Sequence, residues 1–213
     1  MRRNVEVKAR LRAREEALGA ALRLQGLPQV CPGAGQGSGE GQGLPQVCPG
    51  AGQVLLQTDT FFRVPRGRLK LRRTKDGCGE LIFYERPDNA GPKLSSFSIT
   101  PTADPEGLQA VLALALGVLG TVQKERLLFL LGQTRLHLDR VQGLGDFLEL
   151  EVVLRPEQSV EDGQRLAREL LREFGIEERD LISGAYLDLL LAQGQEGDNG
   201  DNTSCPTPHP ETP

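Results

Sequence analysis

Eight short segments of this chain alternate apolar and charged residues, and this alternation restricts the fold more than any other feature. In FLELEVVL, residues 147–154, the even positions are apolar, whereas Glu149 and Glu151 point the other way. In GRLKLRR, leucines occupy one face and arginines and a lysine the other. The eight segments lie at about 3–9, 54–64, 67–74, 80–87, 94–100, 121–131, 134–142 and 146–154, between turn signals. The pattern predicts eight β-strands, each with one apolar and one charged face.

Helices are predicted between and after these strands. They cover about 12–24, 105–119, 159–174 and, as a shorter segment, 184–192. Asp104 followed by Pro105 is typical of a helix start, as is Ser159, and Gly175 is typical of a helix end. Helices that cover the apolar strand faces leave the charged faces to close on one another. The sequence therefore predicts an α+β fold, an eight-stranded antiparallel closed β-barrel or tunnel with helices packed outside. A sheet whose charged face is simply solvated is the alternative.

The 213 residues are long enough for one core, so one domain is expected. The stretch GLPQVCPGAGQ at 26–36 recurs at 43–53, and its glycine and proline content predicts a flexible insert. The domain is predicted to span 1–193 with this insert at about 26–53, and 194–213 to form a disordered tail. The four cysteines lie far apart and are interpreted as free thiols.

The charge balance limits the partners. A formal net charge of −4 gives no global reason to expect nucleic acid or an anionic membrane as partner. The sequence carries neither a secretory signal pattern nor an apolar run of about 18 residues, so a cytoplasmic protein is expected.

The charged strand faces, closed into a lumen, predict a site for a polyanion. Buried cations are costly unless they are paired, and guanidinium groups suit phosphate oxygens. The cations on these faces are Arg68, Lys70, Arg72, Arg86, Lys124, Arg126 and Arg135. Carboxylates share the lumen, and Mg²⁺ or Mn²⁺ would let acids and phosphates bind side by side. In RNVEVKAR this explains why Glu6 and Lys8 point the same way: one would hold metal and the other phosphate.

The opening NVEVKAR resembles the E-x-E-x-K signature of the CYTH superfamily, the triphosphate tunnel metalloenzymes that include class IV adenylyl cyclases and thiamine triphosphatases. Further blocks resemble that family in order and spacing: QTDTFF with GRLKLRR, LIFYERPD, VQKERLLFL, and TRLHLDRVQGLGDFLELEV. The resemblance implies an eight-stranded antiparallel tunnel, metal on its acidic wall, and cleavage or cyclisation of a triphosphate. Asn4 stands where the signature has its first glutamate, and this departure weakens the predicted metal site.

The resemblance also implies roles for individual residues. The implied metal ligands are Glu6, Asp139, Glu149 and Glu151. The implied catalytic cations, which would neutralise developing charge, are Lys8, Arg72 and Arg126. The implied phosphate-binding residues are Lys70, Arg86, Lys124, Arg135 and Arg68. His137 is interpreted as a hydrogen-bonding partner rather than a general acid.

These observations predict metal-dependent hydrolysis of a triphosphate, inorganic or carrying a small organic group, with Mg²⁺ or Mn²⁺ as cofactor. One alternative is a class IV-type adenylyl cyclase. Another is a module that binds phosphorylated ligands or polyphosphate without turnover, which Asn4 favours. The expected partner is a small-molecule triphosphate, and the apolar helices 105–119 and 184–192 leave room for a homodimer contact.

Overall fold

The computed structural model describes residues 2–26 and 52–198. The strands and helices follow the chain as β1 (Arg2–Arg10), α1 (Arg14–Gly26), β2 (Gln53–Phe62), β3 (Arg68–Thr74), β4 (Gly79–Glu85), β5 (Lys93–Thr102), α2 (Pro105–Leu116), β6 (Val118–Leu131), β7 (Thr134–Val141), β8 (Gly145–Val153), α3 (Val160–Glu173), a 3₁₀ turn (Glu178–Asp180), β9 (Leu181–Ile182) and α4 (Tyr186–Asp198).

The first eight strands form a closed antiparallel barrel with the order β1-β5-β4-β3-β2-β6-β7-β8. Strand β1 closes it, because Glu6 lies opposite Lys93 on β5 and opposite Glu151 on β8. The predicted fold class, an α+β eight-stranded tunnel with helices outside, is confirmed. The short β9 pairs with β1 at Lys8 and Ala9. The sequence did not predict it, since two residues cannot show an alternation.

Helices α1 and α3 cover the apolar outer faces of β1, β6, β7 and β8. The buried cluster there includes Val5, Leu136, Leu138 and Leu150 from the strands, with small residues of both helices against them. Gly163 of α3 shows how close the helix comes, because a Cβ atom at this position would lie 2.7 Å from Leu154 Cδ2 and 2.8 Å from Val5 Cγ2. The larger buried apolar cluster therefore lies on the outside of the barrel, and the charged strand faces point inward.

The helix ends follow local chemistry. The Asp104 side chain accepts a hydrogen bond from the Gly107 N–H at 2.8 Å, and Ser159 forms a capping box with Asp162. Helix α2 ends earlier than predicted, because Gly117 takes a positive φ of 76° and β6 begins at the next residue.

The predicted domain boundaries stay a prediction. Helix α4 continues to Asp198, past the predicted tail boundary, and residues 199–213 lie outside the described residues, as do 27–51 of the insert. Cys78 is exposed and free, whereas the other three cysteines lie outside the described residues. No helix in the described part of the chain has the length and apolar character needed to span a membrane.

The homodimer contact stays a prediction. Val111 and Leu114 on α2 are 62% and 90% exposed. This helix face is where we expect such a contact to form.

Candidate active site

The register of the barrel brings the predicted site residues together in its lumen. Neighbouring strands place opposite charges face to face, in the pairs Lys8–Glu149, Arg126–Asp139, Arg135–Glu151 and Arg72–Asp59. Because residues directly opposite one another on antiparallel strands share a face, all of these side chains lie on the inner surface. The lumen is therefore lined by cations and carboxylates in alternation, and two clusters of them stand out.

The Asp59 cluster comprises Asp59, Lys70, Arg72 and Lys124. Asp59 is 1% exposed and accepts hydrogen bonds from Lys124 Nζ at 2.7 Å, Lys70 Nζ at 3.0 Å and Arg72 Nε and Nη2 at 2.9 and 3.2 Å. Burial by itself raises the pKa of Asp59, but Arg72, Lys124 and Lys70 together hold it well below the usual range. One carboxylate therefore serves three cations, and the cluster keeps an excess of positive charge.

Sequence reasoning did not assign Asp59 a role. The alternation of QTDTFF does indicate that Gln57, Asp59 and Phe61 share a face. It does not indicate that this face meets Arg72 and Lys70 of β3, since strand register is not visible in one sequence.

The excess charge of this cluster predicts a pH dependence of stability. Burial and the neighbouring cations Arg126, Arg72 and Lys70 lower the pKa of Lys124 from 10.5 to about 7. Between these two values the unfolded chain binds more protons than the folded protein, so stability rises with pH, by at most about 1.4 kcal/mol per pH unit. Urea denaturation between pH 7 and pH 9 is expected to show this rise.

The matched variant is Lys124→Met, which is expected to reduce the slope. Part of the slope is expected to remain, because the pKa of Lys93 is also lowered. Burial and then Arg86 lower it to about 8. A wild-type slope that Lys124→Met leaves unchanged would contradict the assignment.

The Glu149 cluster comprises Glu149, Lys8, Arg126 and His137. Glu149 Oε1 accepts a hydrogen bond from Lys8 Nζ at 3.0 Å and Glu149 Oε2 accepts one from Arg126 Nη2 at 2.5 Å. His137 Nδ1 lies 3.4 Å from Glu149 Oε2. Burial raises the pKa of Glu149, yet Lys8 and Arg126 hold it well below the usual range. Burial and then Arg126 lower the pKa of His137, so this imidazole is mostly neutral near pH 7. Its position as a hydrogen-bonding partner agrees with the sequence interpretation.

Asp139 occupies a different environment from the other three predicted metal ligands. Its carboxylate accepts two hydrogen bonds from Arg126, one from Nε at 2.7 Å and one from Nη2 at 2.6 Å. The Tyr186 hydroxyl donates a third at 2.8 Å. Asp139 is fully buried. This geometry favours a role in fixing Arg126 over a role as a metal ligand. Sequence reasoning missed Tyr186, because YLDLLL carries the signal of an apolar helix.

The remaining acids form a group suited to a divalent cation. Ligand atoms of His137, Glu149 and Glu151 lie within 4.8 Å of one another, and Glu6 lies opposite Glu151 in the strand register. Burial and then the nearby Glu149 raise the pKa of Glu6, whereas Lys8 and Arg86 act to lower it. Beside Glu6 on the same inward face, the buried Oδ1 of Asn4 has no hydrogen-bond partner among the described residues. These mainly oxygen donors fit Mg²⁺ or Mn²⁺.

Comparison with known proteins agrees with this geometry. The model of the CYTH domain family matches residues 45–186, more than half of the 213-residue chain. The chain belongs to the CYTH domain family. The match begins after β1, so Glu6 and Lys8 lie outside it, although β1 closes the barrel of this CYTH protein. No curated protein sequence matches the chain.

Solved structures share the fold of this CYTH protein. The PH1012 protein of Pyrococcus horikoshii is 23% identical with a TM-score of 0.68, and the match covers 87% of this chain and 98% of that one. A conserved hypothetical protein of Pyrococcus furiosus gives the same identity and TM-score, with coverage of 87% and 99%. A Vibrio parahaemolyticus protein named as a candidate adenylate cyclase is 16% identical with a TM-score of 0.63, covering 89% and 98%. At these identities the likeness shows the fold alone.

The predicted phosphate-binding residues of this CYTH protein divide into two groups. Lys70 and Lys124 lie in the Asp59 cluster, and Arg135 pairs with Glu151 at 3.3 Å. Arg68 and Arg86 lie at one end of the barrel instead. Arg68 Nη2 contacts Asp188 of α4 at 2.9 Å, and Arg86 donates to the Ser183 carbonyl at 3.0 Å while its Nε lies 3.0 Å from Glu6. These two arginines contact the C-terminal part of the chain, and their role in phosphate binding stays a prediction.

Proposed function

We propose that this CYTH protein hydrolyses a triphosphate, inorganic or carrying a small organic group, with Mg²⁺ or Mn²⁺. One observation supports the proposal above others: the three cations of the Asp59 cluster share a single carboxylate, and they face the same lumen as the acids Glu6, Glu149 and Glu151. A cationic wall beside an acidic one accommodates a phosphate chain and a divalent cation together.

The side chains in the lumen would have three roles. Lys70, Arg72 and Lys124 would bind phosphate oxygens, with Arg72 offering the planar fork that suits them. Arg126, fixed by Asp139 and next to Glu149, would neutralise charge that develops on the phosphate undergoing attack. Glu6, Glu149, Glu151 and His137 would hold the cation, with Asn4 Oδ1 as a further oxygen donor. A bound Mg²⁺ or Mn²⁺ would polarise phosphate oxygens and make a water molecule more nucleophilic.

A specific observation favours a second candidate, binding without turnover. Asn4 supplies a neutral oxygen where the family signature supplies a carboxylate, which lowers the charge available to hold a cation. The adenylyl cyclase alternative needs a further arrangement, since cyclisation must also position a ribose hydroxyl. The lumenal groups that support our proposal are suited to phosphate and metal rather than to a ribose.

Phosphate release tests the proposal. Inorganic triphosphate, thiamine triphosphate and ATP are each incubated with Mg²⁺ or Mn²⁺, and released phosphate, pyrophosphate and cyclic nucleotide are measured. We expect phosphate release from at least one of them, abolished by EDTA. Cyclic nucleotide with pyrophosphate would favour the cyclase, and binding of triphosphate without any product would favour the binding module.

A further inference from the structure

The imidazole of His137 lies among the acidic side chains of the lumen. Its side chain is 4% exposed, and it lies opposite Glu149 in the register of β7 and β8. The Nδ1 atom lies 3.4 Å from Glu149 Oε2 and 4.0 Å from Glu151 Oε1. Two ligand atoms that bind one ion at about 2.1 Å lie at most about 4.2 Å apart. These three side chains are therefore already close to the spacing that a single divalent ion requires.

A buried oxygen atom without a partner points to a ligand in the same place. Asn4 is 3% exposed, and its Oδ1 atom accepts no hydrogen bond from the described residues. Asn4 lies beside Glu6 on the inward face of β1, and Glu6 lies opposite Glu151, so Asn4 is a diagonal neighbour of Glu151. A buried acceptor is normally satisfied, and a cation bound to Glu151 would satisfy this one. This observation does not depend on the carboxylates themselves.

His137 and Asn4 change the chemistry of the ligand set. The family resemblance implies acidic ligands throughout, whereas Asn4 supplies a neutral oxygen and His137 a nitrogen. Mg²⁺ binds oxygen ligands and keeps several of its water molecules, whereas imidazole nitrogen is a good ligand for first-row transition ions. The lost charge at Asn4 weakens the binding of any divalent ion. The nitrogen of His137 compensates for this loss with a transition ion such as Mn²⁺ and not with Mg²⁺.

We infer that His137 is a nitrogen ligand of the lumenal cation and that it selects Mn²⁺ over Mg²⁺. The Nδ1 atom binds the ion when the ring proton lies on Nε2. Glu149 and Glu151 supply negative charge, and Asn4 supplies a neutral oxygen. The inference rests on the proposed function, since it concerns the cation of the same lumen. It is testable without turnover, because it concerns the binding of the metal alone.

Pulsed EPR of the full-length protein with bound Mn²⁺ tests the ligand directly, because it detects the nuclear spin of a nitrogen atom bound to the ion. We expect a ¹⁴N signal in the wild type that becomes a ¹⁵N signal when histidine alone is labelled with ¹⁵N. His137→Asn is expected to lose this signal. His209→Asn is the matched control, because His209 is the other histidine of the chain, and it is expected to keep the signal.

Calorimetry with Mn²⁺ and with Mg²⁺ measures the selectivity. In His137→Asn we expect the affinity for Mn²⁺ to fall at least about tenfold and the affinity for Mg²⁺ to change about twofold at most. Glu151→Gln is the comparison, because it removes an oxygen ligand, and it is expected to weaken the binding of both ions to a similar extent. A merely structural role of His137 would also weaken both ions alike, so the ratio of the two affinities separates the roles.

The results that would overturn the inference differ from those that would overturn the proposed function. If Mn²⁺ binds without a histidine nitrogen signal, or if His137→Asn leaves the ratio of affinities unchanged, His137 is not a ligand and the proposed function stands. If neither ion binds to the wild type, the proposed function and the inference fail together. If His137→Asn does not fold, the labelled wild type and the labelled His209→Asn variant decide between the two histidines.

Discussion

Replacing Arg126 with methionine is expected to lower the free energy of unfolding by about 3 to 5 kcal/mol, the usual cost of breaking a buried ion pair from one side. Arg126 is 4% exposed and binds both Asp139 and Glu149. Without it, two carboxylates stay in the barrel with fewer cations to balance them. Urea denaturation at pH 7 measures the effect, and phosphate release is expected to be lost as well.

The control for this variant is Arg140→Met. Arg140 lies next to Asp139 on β7, but its side chain is 60% exposed and pairs with Asp146 on the outside. This change is expected to leave stability nearly unchanged, because exposed ion pairs contribute little. The double variant Arg126→Met with Asp139→Leu is expected to recover part of the lost stability, since it removes one unpaired charge. Equal effects of Arg126→Met and Arg140→Met would contradict the role given to the buried pair.

Replacing Asp59 with asparagine is expected to lower stability and to strengthen triphosphate binding. Stability at pH 7 is expected to fall by about 3 to 5 kcal/mol, because Lys70, Arg72 and Lys124 lose their shared carboxylate. Triphosphate is expected to bind more tightly, because the phosphate no longer lies beside a competing negative charge. Denaturation and calorimetry measure the two quantities in the same preparation.

The stability difference between wild type and Asp59→Asn is expected to depend on pH through the pKa of Asp59. The pKa is held well below 3.8 in the folded protein, so the stability that Asp59 contributes is complete above about pH 4 and declines as the pH falls toward the depressed value. The difference between wild type and Asp59→Asn is therefore expected to shrink at acidic pH. Asp88→Asn is the control, because Asp88 pairs with Arg68 but its side chain is 49% exposed. Weaker triphosphate binding by Asp59→Asn would show that Asp59 positions the cations rather than competes with phosphate.

The sequence was sufficient for the barrel because the side-chain period of a strand is visible in one chain. Leu148 and Leu150 alternate with Glu149 and Glu151, and the structure places the leucines in the outer core and the glutamates in the lumen. Local chemistry likewise predicted the start of α2 at Pro105. The predicted end of α2 lies three residues too late. The apolar residues at the predicted end also suit a strand, and in the structure they belong to β6.

What the sequence could not give is position along the barrel axis. The stagger between strands decides which residues share a level, and it is not visible in a period of two. Arg68 and Lys70 have the same pattern, yet Arg68 contacts Asp188 of α4 and Lys70 contacts Asp59. Tyr186 illustrates the same limit, because only the folded chain brings α4 against Asp139.

The most direct measurement of the central claim is phosphate release from inorganic triphosphate by wild type and by Glu151→Gln. Glu151 lies beside His137 and Glu149 in the lumen. Its ion pair with Arg135 is partly exposed, so the variant is expected to fold. Glu157→Gln at an exposed position is the control. We predict metal-dependent release by wild type and control, and about a hundredfold less by Glu151→Gln. Release that Glu151→Gln leaves unchanged, or no release by the wild type with either metal, would contradict a carboxylate-held metal in a hydrolytic tunnel.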